Sequence, residues 1–149
     1  MTITNATSKP AAQTFVAPAP LGAVTATIPT KMPYPTLIAT WPAYGNSVGY
    51  AWNATQQLGS QQCGGGSACT IVWTAYLSPG VTGAMPGYRM PDLSGITGWK
   101  QAFEIVSGAQ VVGSVTAQTS SAGAGDFPPA LPADGTKRVF VRSDYGVTP

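Results

Sequence analysis

Cys63 and Cys69 are the residues whose type and spacing most invite chemistry. They stand in QQCGGGSACTIVWTAYL, residues 61–77, on either side of three glycines, a serine and an alanine. Four chemistries compete for such a stretch. A nucleophilic thiol needs a base or a cationic surrounding to hold it as thiolate; this chain has no histidine and no basic residue near either cysteine in sequence. A zinc centre needs about four Cys, His or carboxylate ligands, and two cysteines with the acids far off in sequence do not supply them. A Walker-type phosphate cradle needs Gly-Lys-Ser/Thr after its glycines, whereas Ser67, Ala68 and Cys69 follow here. A backbone nest for an anion stays open to the three glycines. The fourth reading is a pinned turn. Gly64, Gly65 and Gly66 let the chain reverse tightly, and a Cys63–Cys69 bridge across so short a loop contributes roughly 2–3 kcal/mol by chain entropy. The sequence favours this disulfide. It carries with it an oxidising surrounding such as a periplasm, secretion or the outside of a virion. No metal and no cofactor is expected.

The other candidate constellations are thinner. The five acids are Asp92, Glu104, Asp126, Asp134 and Asp144, and none sits in a recognisable motif. Asp92, Asp126 and Asp134 adjoin Pro or Gly in loops, where aspartate ordinarily satisfies backbone donors. Ser-His-Asp hydrolysis is excluded by the missing histidine, and no S-x-x-K occurs. Lys137, Arg138 and Arg142 form the one basic cluster. On a strand, Arg138 and Arg142 share a face with Phe140, and such charges read as protection of an edge strand rather than an anion site. Among the aromatics, Trp41, Trp52 and Trp73 fall at inward strand positions and read as core. Tyr34, Tyr44 and Tyr88 lie in Pro/Gly-rich stretches and are the candidates for partner contacts. Asn5 and Asn53 head N-x-T triplets, which a Thr-rich chain produces by chance.

The elements that must position these groups are strands. From residue 36 onward the apolar residues repeat with period two. Val48, Tyr50, Trp52 and Ala54 share one face. Cys69, Ile71, Trp73, Ala75 and Leu77 point one way, with Thr70, Val72, Thr74 and Tyr76 the other. Further strands are expected at 111–117 and 138–142. Residues 99–106 fit a helical stripe (Trp99, Ala102, Phe103, Val106) or a strand; a hairpin with 111–117 favours the strand. Residues 78–98 and 119–136 are long Gly/Pro-rich connections, the kind that serve a function or a partner. Before this domain, residues 1–35 hold Pro10, Pro18, Pro20, Pro29, Pro33 and Pro35, which exclude helix and central strand. This arm is expected to be extended, with one alternating piece over 24–28. The expected fold is all-β: a small antiparallel β-sandwich, Ig-like or jelly-roll-like, over 36–149, with a small β-barrel as the alternative.

Composition bounds the function. Only 8% of the 149 residues are charged, against about 25% in an average soluble protein. Residues 1–88 carry only Lys9 and Lys31. The net charge of +2 is too small and scattered for a nucleic-acid footprint. The opening MTITNATSKPAAQT lacks a basic segment followed by an apolar one, so no secretory signal is expected. No run of 18 apolar residues suggests a membrane span. A surface this poor in charge implies burial against other copies. The general layout, a Pro/Ala/Thr arm before a small charge-poor β domain, is similar to that of structural proteins on phage heads and other surface lattices. The resulting expectation is a non-enzymatic virion component, a capsid decoration, minor capsid or head-fibre protein. It would pack as a homo-oligomer, a trimer being typical, and against other structural subunits. A carbohydrate- or receptor-binding sandwich is the alternative.

Overall fold

The structure, a computed structural model, describes residues 16–30, 34–63, 65–78, 80, 86–99, 104–127 and 135–149. Seven strands appear among them: β1 (Thr25–Thr30), β2 (Thr36–Thr40), β3 (Gly49–Leu58), β4 (Cys69–Leu77), β5 (Gly87–Arg89), β6 (Val111–Ser120) and β7 (Arg138–Val147). All pairings are antiparallel. One sheet has the order β1-β2-β5 and the other β4-β3-β6-β7, an all-β arrangement consistent with a small β-sandwich.

The alternation read from the sequence decides which side chains enter the core. On β3, Tyr50, Trp52 and Ala54 are buried, and their pairing partners Ala117, Val115 and Gly113 on β6 share that face. From β2 come Leu37 and Ala39, both fully buried, followed by Trp41. From β7 come Val141 and Tyr145. Trp52 is 1% exposed and packs against Tyr88 in a tilted ring pair with centroids 4.6 Å apart. Trp41 lies 5.5 Å from Tyr50. Trp73 packs half-buried against the same cluster.

Several elements differ from expectation. The alternating piece near 24–28 is β1, a full member of the three-stranded sheet. Pro29 is tolerated there because β1 is an edge strand whose register shifts between Thr27 and Thr30. The 78–98 connection contains β5, three residues that pair with Ile38, Ala39 and Thr40. Residues 119–136 begin inside β6 and continue into a 3-10 turn, Ala124–Asp126. The last strand runs to Val147 rather than 142.

The strand favoured over 99–106 is not found: Trp99 and Glu104–Val106 belong to no strand or helix, and 100–103 lie outside the described residues. The physical reason is Gln56. This residue continues the buried row of β3 and is itself 0% exposed. Its amide nitrogen donates to the carbonyls of Val106 and Ala109, each at 2.7 Å, and its oxygen accepts from the Val106 N–H at 2.9 Å. One side chain thus satisfies backbone groups that a hairpin would otherwise have paired. Ile105, 2% exposed, is thereby seated in the core. Gly108, at φ 85°, makes the following turn.

Replacing Gln56 by leucine keeps the volume but strands three part-buried backbone groups. The Gln56→Leu variant is expected to lose about 2–4 kcal/mol in urea unfolding; a loss under about 0.5 kcal/mol would contradict this role for the amide.

Candidate functional site

The candidate site is the outer face of the four-stranded sheet, because it is there that the alternation leaves large apolar groups uncovered. In that face the pairing places Tyr76, Ala51, Thr116 and Arg142 in one row across the sheet. Thr74, Asn53, Ser114 and Asp144 form the next row, and Val72, Thr55, Val112 and Gly146 the one after. Four strands at the usual spacing make these rows about 14 Å wide. Val72 is 61% exposed, Tyr76 58%, Val112 48% and Phe140 44%. A sheet face that packed on nothing would ordinarily alternate to charged or polar residues at these places.

The floor between them is small and polar. Asn53 donates its side-chain amide to Ser114 Oγ at 2.9 Å and accepts from the Ser114 N–H at 3.2 Å. Tyr145, on the core side of β7, donates its hydroxyl to the Asn53 carbonyl at 2.9 Å. It can do so because Gly113 has no side chain: a Cβ there would stand 2.5 Å from the tyrosine hydroxyl. Burial pushes the Tyr145 hydroxyl well above its ordinary range. Beside this floor lies a depression of about 510 Å³, bordered by Thr55, Val112, Gly146 and the pair Arg142–Asp144. The pair is exposed and its N–O distance is 2.6 Å. It adds little stability, yet it neutralises both charges of that region locally. Asn53 heads an N-x-T triplet, but its amide is engaged mid-strand.

One end of the face is capped by the loop after β6. Phe127 lies over Gly49, where a Cβ would stand 2.5 Å from the ring, and meets Tyr76 edge-on with centroids 6.1 Å apart. Gln118 is buried beneath this loop and donates to the Asp126 carbonyl at 3.1 Å. The loop is anchored by Asp126, which pairs with Arg138 and accepts from Ser120 Oγ at 2.6 Å. Both ion-pair side chains are nearly covered, at 11% and 12% exposure. The Arg138 guanidinium and the Ser120 hydroxyl hold the Asp126 carboxyl down at about 2.

The remaining candidates are dispersed. Cys63 and Cys69 are joined by a disulfide, Cα–Cα 6.0 Å, at the foot of β4, where Cys69 pairs with Leu58. Asp92 accepts from the Ser94 N–H and hydroxyl in a local turn, and those bonds lower its pKa. Glu104 accepts from the Trp99 indole. Asp134 lies outside the described residues. The partners of Asp126 and Asp144 on β7 are four residues apart and Asp144 itself is six from Arg138, so about 20 Å of strand separates the two carboxylate stations. Paired glycosidase carboxylates need about 5–10 Å. Among the described residues no three Cys, Asp or Glu gather where a metal ion could be held, and no helix is long and apolar enough to cross a membrane.

Of the tyrosines expected to meet a partner, Tyr88 is not in a loop: it lies in β5 against Trp52, and burial raises its hydroxyl pKa. Tyr44 donates to the Ala19 carbonyl at 3.1 Å, tying down its own chain, while its N–H bonds the Tyr50 hydroxyl at 2.9 Å. Tyr34 is half-buried just before β2. None of the three lies on the open sheet face. Sequence reasoning did place Val72, Tyr76 and Phe140 on outward-facing sides. What it missed was that these sides belong to one surface.

No protein-family model matches the chain, and comparison with curated proteins and with solved structures finds no match either.

Because the folded state holds Asp126 below the ordinary 3.8 of an aspartate, its anchoring is present above about pH 4 and is lost as the pH falls toward 2. Thermal unfolding followed from pH 6 to pH 2 is expected to show a falling midpoint across that window in the native chain and a smaller fall in Asp126→Asn. Identical acid profiles would contradict the anchoring.

Proposed function

We propose that this chain is a non-enzymatic structural assembly protein, an Ig-like sandwich that serves as a surface component of a virion, of the decoration, minor-capsid or head-fibre kind. The observation that carries the reading is the outer sheet face. Val72, Tyr76, Val112 and Phe140 stand open there, and Arg142 and Asp144 offset each other. Exposed large apolar side chains set around a polar floor on one sheet face support an interaction site, and burying them contributes roughly 25 cal/mol per Å² of apolar area before association costs. Partners are then other copies and other structural subunits. The small, scattered charge supports leaving nucleic acid out.

The Ig-like assignment rests on strand order. A β1-β2-β5 sheet against β4-β3-β6-β7 corresponds to strands A-B-E against C′-C-F-G, and Trp52 on β3 occupies the place of the buried tryptophan of strand C. The Cys63–Cys69 bridge supports an oxidising surrounding. A second reading, a carbohydrate-binding sandwich, draws on the depression beside Asn53, Thr55 and Tyr145; a glycan array with loss of binding in Thr55→Lys would promote it.

Sedimentation velocity across micromolar concentrations tests the assembly reading. The native chain is expected to form a closed oligomer, and Val112→Ser with Phe140→Ser to weaken higher association at least about tenfold without lowering the thermal midpoint by more than a few degrees. A monomer at every concentration would overturn it.

A further inference from the structure

A sheet with ends leaves two rows of backbone N–H and C=O groups unpaired, and proteins guard such edges with charge, proline, bulges or brevity. Among the described residues two sheets leave four edges, and three carry a guard. β1 contains Pro29 and a register shift. β5 is three residues long, between Pro86 and Pro91. β7 carries Arg138, Arg142 and Asp144. β4 has none: CTIVWTAYL is nine residues without a charge or a proline, in unbroken register with β3 from Leu58↔Cys69 to Tyr50↔Leu77. Among the described residues no strand pairs with its other side.

We propose that β4 pairs antiparallel with β4 of a second copy, about a two-fold axis at Trp73. This rests on the assembly reading and names its first interface. The occupant is argued from self-complementarity. Centred on Trp73, all nine residues pair, and no charges meet. Ile71 falls opposite Ala75 of the second copy, Val72 opposite Thr74, Tyr76 opposite Thr70 and Leu77 opposite Cys69, so larger side chains meet smaller ones on either side of the axis, where the two Trp73 residues face each other. The symmetry also closes. Both unguarded edges are used up, the joined sheet has eight strands, and it ends on the charged β7 at each side. The open outer faces of the two copies become one continuous surface, available to a further subunit. The Cys63–Cys69 bridge holds the first residue of the edge in place.

Two measurements test the pairing. Val72→Cys and Thr74→Cys chains, differently tagged, are mixed and oxidised. The mixed disulfide is expected to exceed either homodimer, because positions 72 and 74 are directly opposed while 72 and 72 are diagonal, at about 7–8 Å. Val72→Lys/Thr74→Lys, checked for native circular dichroism, is expected to raise the dimer dissociation constant at least about tenfold. An oligomer that survives the lysines and yields no mixed disulfide overturns the edge proposal and leaves the assembly reading standing. A chain monomeric throughout overturns both. A mixed disulfide that forms only after deletion of residues 1–15 also overturns it, since the edge is then covered within the chain.

Discussion

The constraint on which this structure depends is the hydrogen-bond ladder of β3. That strand pairs with β4 on one side and β6 on the other over most of its length, so its backbone is satisfied and its side chains are sorted strictly by parity. One parity row builds the core through Tyr50, Trp52 and Ala54. At Gln56 the same row turns polar and uses its amide in place of another strand. The opposite parity row, Ala51, Asn53 and Thr55, floors the outer face. Core, neighbouring loop and candidate surface are therefore set by one register, and a slip of one residue would exchange them.

The same ladder makes the poverty of charge consequential. A free sandwich normally covers its solvent faces and edges with ionisable side chains. Here the described acids are each engaged locally: Asp126 with Arg138, Asp144 with Arg142, Asp92 with its own turn, Glu104 with Trp99. Beside the Arg142–Asp144 pair, the outside of the four-stranded sheet presents Thr, Asn, Val and aromatic surface. Such surface is tolerated where something covers it, and that is the physical content of the assembly reading. Among the described residues the cysteines are joined to each other, and the stations of Asp126 and Asp144 are set apart along β7.

Much of this was legible in the sequence. Period two gave the faces of β3 and β4, and the inward tryptophans followed from it. The Gly-rich loop between two cysteines read as a pinned turn. Other features were hidden for identifiable reasons. β5 is too short to show periodicity, and its flanking prolines disguise it. Residues 99–106 carry an apolar pattern that suits either regular element; the deciding partner, Gln56, is some 50 positions away in sequence. Its signal was a polar residue continuing an apolar row. The open face was harder still: Val72, Tyr76, Val112 and Phe140 lie on three strands, and only the order β4-β3-β6-β7 places them on one face. Tyr44 and Tyr88 sit among Pro and Gly, and their bond to Ala19 and packing on Trp52 carried no local signal.

On the proposal made above, the unguarded side of this sheet is completed by association. Amide hydrogen exchange, read residue by residue at low and high protein concentration, addresses that claim directly. Protection of residues 70–76 that rises with concentration, while residues 138–146 stay unchanged, is the predicted result. Exchange over residues 70–76 that is the same at both concentrations would contradict it.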